Sequence, residues 1–123
     1  MKTRAFLAVN ALTGLVFGLG FLVIPQVFFS LLGLEASSAL DTMARIYGAE
    51  LIGFNIATWL AVGEPAWRRP VIVGHAFNES LDTVLLVMAV IGGVANTLTW
   101  GLVAVTAVFA AGYLWLASRP ADA

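Results

Sequence analysis

Residues 74–82, GHAFNESLD, place a histidine, an asparagine and two carboxylates inside a segment that is otherwise apolar from Val71 to Ile91. At about 100° per residue, and with His75 as reference, Glu79 falls at about 40°, Asp82 at about 340° and Asn78 at about 300°, so all four share one helix face. Side chains of these types at this spacing fit four chemistries. They can hydrogen-bond the polar head of a hydrophobic small molecule, pass protons along the helix, hold a metal ion, or fix the register of neighbouring helices. For a metal, His75 and Glu79 stand one turn apart, with Asp82 or Glu50 as a further oxygen donor. The repeated Glu-x-x-His pattern of paired-helix metal sites is absent, which leaves His75, Glu79 and Asp82 weak candidates.

Carboxylates at mid-bilayer cost about 2.5–3.5 kcal/mol each on insertion scales, so this face is expected to point inward and meet other polar groups. Asn10 and Thr13 share a face in the first apolar segment, and Glu50 and Asn55 lie within the second. From the rise of a helix, His75 should lie about 7 Å and Glu79 about 13 Å from the inner boundary, with Asp82 about 18 Å from it. Glu50 then comes level with Asp82, Asn55 with Glu79, and Asn10 and Thr13 with His75 and Glu79. Arg45 has two outcomes open to it: snorkelling to the outer interface, or turning down to pair with Glu50 or Asp82.

The elements that must carry these residues are apolar helices. A span needs about 20 apolar residues, and four segments qualify: about 5–24, 43–62, 71–91 and 98–117. Pro25 ends the first, Pro70 precedes the third, and Arg119 and Pro120 follow the fourth. Asp41 is the expected N-cap of the second. The N-terminal apolar stretch is too long for the core of a signal peptide and reads as a retained span. Between the first two spans, VFFSLLGL is too short to cross and reads as an outer interfacial or re-entrant helix.

Lys2, Arg4, Arg68, Arg69 and Arg119 all fall on one side of such a four-span chain, and only Arg45 falls on the other. By the positive-inside bias both termini are cytoplasmic. Aromatic residues mark the two boundaries: Phe28, Phe29, Tyr47 and Trp100 outside, and Trp59, Trp67, Tyr113 and Trp115 inside. Small residues recur at four-residue spacing, at Gly14 and Gly18, at Ala44 and Gly48, at Ala49, Gly53 and Ala57, and at Ala107 and Ala111. Such spacing lets helices approach closely.

Composition agrees. Of 123 residues, 61% are hydrophobic and only 11% charged, where soluble domains carry about 25% charged residues. Mean hydropathy is +0.97. The expected class is an all-α integral membrane protein, a single domain of four bundled spans, in a bacterial inner membrane. A net charge of -1 gives no basic surface for nucleic acid. The lack of cysteine removes thiolate metal sites and cysteine nucleophiles. No nucleophile motif, phosphate loop or dinucleotide fingerprint is present, since GLVFGLG lies inside an apolar span with no strand before it. No catalytic motif and no particular cofactor is therefore indicated. The expected partners are the lipid bilayer, a hydrophobic small molecule of quinone or lipid-like type, and a second copy or a membrane partner subunit.

The order of these features resembles the small four-helix membrane proteins of the DoxX-like type. The resemblance rests on the first span closed by Pro25, LLGL at 31–34, Arg45-x-x-Gly48 opening the second span, the basic turn at Arg68 and Arg69, and a third span with internal polar residues. It covers most of the chain, and it implies the four-helix fold and a loose association with membrane redox or quinone-linked systems. It supplies no catalytic residues.

Overall fold

A computed structural model describes residues 3–119. Lys2 and Pro120, used above in the charge and span assignments, lie outside the described residues. Among those described, the chain is all-helical: α1 (Thr3–Val23), α2 (Pro25–Leu32), α3 (Ser38–Gly63), α4 (Pro65–Ile91) and α5 (Thr99–Ala117). α1, α3, α4 and α5 are each long and apolar enough to cross a membrane. The expected spans therefore correspond to helices, and VFFSLLGL falls largely within the short α2. The chain divides into two compact units, Met1–Glu64 and Pro65–Ala123.

Prolines set two of the helix starts. Pro25 begins α2 and Pro65 begins α4, where the missing N–H is one that a first turn leaves unbonded anyway. The residue before a proline is pushed out of the helical region, and Ile24 accordingly breaks α1 from α2 with φ -132° and ψ 51°. Pro70, expected to precede the third span, lies inside α4. With Pro65 at the start, Pro70 falls in the second turn, where it costs the helix one hydrogen bond without ending it.

α3 also starts earlier than expected. Ser37, not Asp41, is its N-cap, with extended backbone and a side-chain oxygen that accepts from Leu40 N–H at 3.1 Å. Asp41 instead occupies the first turn, where a carboxylate complements the helix dipole. Its oxygens accept from Gln26 of α2 and, at 2.8 Å, from Arg45 Nε.

In the first unit α1 and α3 pack antiparallel through their small residues. A Cβ added at Gly48 would sit 2.7 Å from Gly18 O and 2.7 Å from the backbone nitrogen of Leu22. The two backbones thus approach at a point where any side chain would collide. α2 folds back on this pair, its Phe28 stacked on Phe21 at 4.5 Å. The second spaced series behaves differently: Ala49 and Gly53 are exposed, and nothing lies within 4 Å of a Cβ at Gly53.

The second unit is an antiparallel hairpin of α4 and α5, turned through Gly92 and Gly93. Gly93 takes φ +71°, a conformation that side chains other than glycine rarely adopt. Asn96 closes the turn by accepting from Leu98 N–H at 3.0 Å.

The contrast between the two glycines of α3 makes a prediction. Gly48→Ala should lower stability by about 1–3 kcal/mol through overpacking against backbone, whereas Gly53→Ala should be neutral or slightly stabilising. Thermal unfolding in detergent followed by circular dichroism measures both.

Candidate functional site

The stripe on α4 faces α5 over the helix's N-terminal half. Val71, Ile72, His75, Ala76 and Glu79 are the buried residues of α4, and Thr99, Val103, Phe109, Ala110, Tyr113 and Leu116 those of α5. His75 and Tyr113 meet in a near-parallel stack with ring centroids 4.6 Å apart and planes 12° from parallel. His75 is 1% exposed and Tyr113 0%. One turn along α4, Glu79 brings a carboxylate oxygen to 3.6 Å from His75 Nδ1, within ion-pair distance, and it is 8% exposed. Histidine, carboxylate and phenol thus form one buried cluster on two helices.

Three further hydrogen bonds extend it. Thr83 donates to Glu79 O at 2.7 Å and pairs with Thr106 of α5, oxygen to oxygen, at 2.9 Å. Asn78 Nδ2 donates to Asp82 Oδ2 at 3.3 Å, and both residues are half-buried. The four residues of the stripe therefore form two one-turn pairs, His75 with Glu79 at the centre and Asn78 with Asp82 at its edge.

The remaining candidates lie in the first unit. Asn10 and Asn55 are buried in α1 and α3. Asn55 Nδ2 donates to Leu51 O at 2.8 Å, and its amide occupies the space over Gly14 where a Cβ would otherwise stand. Its Oδ1 is buried without a hydrogen-bond partner. Thr13, half-buried, returns its hydroxyl to Val9 O at 2.9 Å. Glu50 is exposed on α3. Arg45 does not pair with Glu50. It bonds Asp41 and donates through Nη1 to Leu22 O at 2.7 Å, because a carboxylate one turn earlier and an open carbonyl at the end of α1 are both within its reach.

Tyr113, assigned from the sequence to the inner boundary, is fully buried against His75. The signal was available in the hairpin itself, since His75 and Tyr113 are equally far in sequence from Val94 in the turn, and Thr83 and Thr106 are almost so. Folding the chain about that turn brings both pairs together. For a metal, the described residues contain no group of three or more His, Cys, Asp or Glu side chains placed to hold an ion. His75 and Glu79 approach each other as a pair.

Chemically, a histidine and a carboxylate one turn apart can share or pass a proton. The flat stack on Tyr113 fixes the imidazole plane. Comparison with family models, with curated proteins and with solved structures gives no match to this chain.

The Thr83–Thr106 bond offers a check on the register of this hairpin. A double-mutant cycle with Thr83→Val and Thr106→Val should return a coupling of about 0.6 kcal/mol, typical of hydrogen bonds between membrane helices. A coupling indistinguishable from zero would contradict the contact.

Proposed function

We propose that the chain is an integral membrane protein of a bacterial inner membrane, with four spans and both termini cytoplasmic. Its α4–α5 polar cluster holds the polar head of a hydrophobic small molecule of quinone or lipid-like type, either on its own or as an accessory to a membrane redox partner. Membership among the DoxX-like four-helix proteins belongs to the same proposal. The observation that carries it is the buried His75–Glu79 pair against the Tyr113 ring. Ionisable residues inside apolar helices are costly, and where they persist they mark ligand or proton sites. A histidine, a carboxylate and a phenol offer both donors and acceptors to a carbonyl or hydroxyl head group, while the surrounding helix faces suit an apolar tail.

Solvent extraction of protein purified in mild detergent, followed by mass spectrometry, tests this reading. The expected result is a co-purifying quinone or lipid-like molecule that falls at least about tenfold in His75→Phe, the loss of one charge-assisted hydrogen bond. Equal amounts in the variant, or none in either protein, would overturn it.

A proton relay is the second reading, favoured by titratable side chains at 75, 79 and 82 following one another at about one-turn spacing along α4. It predicts that Glu79→Gln abolishes proton flux into vesicles loaded with a pH-sensitive dye while the helices remain folded. The topology has its own check, because the chain lacks cysteine and each introduced thiol is unique. Arg68→Cys and Ala95→Cys should label from opposite sides of the membrane, and labelling from one side would contradict four spans in this orientation.

A further inference from the structure

We infer that the end of the second unit where α4 begins and α5 finishes is a binding site for the headgroup of an anionic phospholipid, built on Arg69 and Arg119. The inference rests on the membrane placement proposed above and concerns a different end of the hairpin from the His75 cluster. Arg69 Nη1 donates to the backbone carbonyl of Arg119 at 3.1 Å, which brings the two arginines to one corner. Arg119 lies with its guanidinium carbon over the ring of Trp115, 3.5 Å from the centroid. A guanidinium held over an indole in this way is restrained in position, and a guanidinium can clasp a phosphate with two parallel hydrogen bonds.

The charge balance at this corner is what calls for an anion. Both side chains are exposed, and neither pairs with a carboxylate among the described residues. In the unit Pro65–Ala123 the described acidic residues are Glu79 and Asp82, at least ten residues along α4 from Arg69, or about 15 Å. Glu64 directly precedes Pro65, and Asp122, outside the described residues, follows Arg119 by three positions. The positive start of α4 and the negative finish of α5 sit together and largely cancel, which leaves the side chains to set the sign. Arg45 provides the contrast: it stands at the start of α3 and is already neutralised by Asp41 at 2.8 Å.

The occupant follows from this chemistry. Exposed Trp67 and Trp115 flank the arginines, and indole rings settle at headgroup level, so a phosphate held here carries its acyl chains along the apolar outer faces of the same helices. Each arginine near an anionic surface contributes about fivefold to affinity, and the two together about 25-fold.

The test places the intact protein in vesicles of phosphatidylcholine mixed with phosphatidylglycerol, and native mass spectrometry reads the retained lipids. Flotation with the vesicles reports membrane placement separately, so a failure of placement and a failure of the site give different results. For floated protein, the expected outcome is retention of phosphatidylglycerol over phosphatidylcholine by about tenfold or more, reduced about fivefold in Arg69→Gln or Arg119→Gln and lost in the double variant. Arg45→Gln should leave it unchanged, and millimolar inorganic phosphate should not compete. Equal retention of the two lipids, an equal loss in Arg45→Gln, or displacement by inorganic phosphate would each overturn the assignment.

Discussion

A polar group carried into an apolar helix must find its partner on that helix or on the one packed against it, and this constraint organises the molecule. The commonest solution is local. Thr13, Thr42, Thr58, Ser80 and Thr83 each return a hydroxyl to the carbonyl one turn earlier, and Asn55 does the same with its amide. These bonds satisfy the side chain without asking anything of a neighbour, and they use a carbonyl lone pair the helix leaves over. The ionisable groups cannot be satisfied this way, because a carboxylate only accepts and the carbonyls of the preceding turn have nothing to donate. Glu79 is therefore placed beside His75, and Asp41 beside Arg45 and Gln26.

The same constraint leads the two helix pairs to different solutions. α1 and α3 are joined by small residues, with backbone against backbone at Gly18 and Gly48, and their buried polar groups are amides and hydroxyls. α4 and α5 are joined by larger groups, the His75–Tyr113 stack and the Thr83–Thr106 bond, and they carry the ionisable pair. A buried ion pair is poor at adding stability, since the desolvation of both charges offsets most of their attraction. That the buried ionisable pair is concentrated in one hairpin, beside a Thr83–Thr106 bond that joins the helices independently of it, is the main reason for reading it as functional.

Much of this was legible in the sequence, and the physical reasons mark where legibility stops. The length and hydropathy of the spans follow from bilayer thickness, so four helices could be read directly, as could the close approach at Gly14, Gly18 and Gly48. Helical phase placed His75 and Glu79 together on a buried face. It could not show which neighbour that face meets, because α5 is apolar all round and its phase does not single out Tyr113. Depth gave Tyr113 a level, and register about the Gly92–Gly93 turn gives its partner. Likewise, depth gave Glu50 a level but no direction, and the structure exposes it. Pro70 misled as a boundary because a proline close to a helix start is tolerated, and the real start was marked by Pro65.

The central claim is that the His75–Glu79 pair is kept for what it binds or transfers and contributes little to holding the hairpin. Replacing both members with apolar side chains of similar size, His75→Phe with Glu79→Leu, separates the two roles in a single preparation. The decisive measurement is the thermal stability of this double variant, taken alongside its content of co-purifying hydrophobic molecule. The account predicts a melting temperature equal to or above that of the unaltered chain, with the bound molecule lost. A variant destabilised by several degrees that retains the molecule would contradict it.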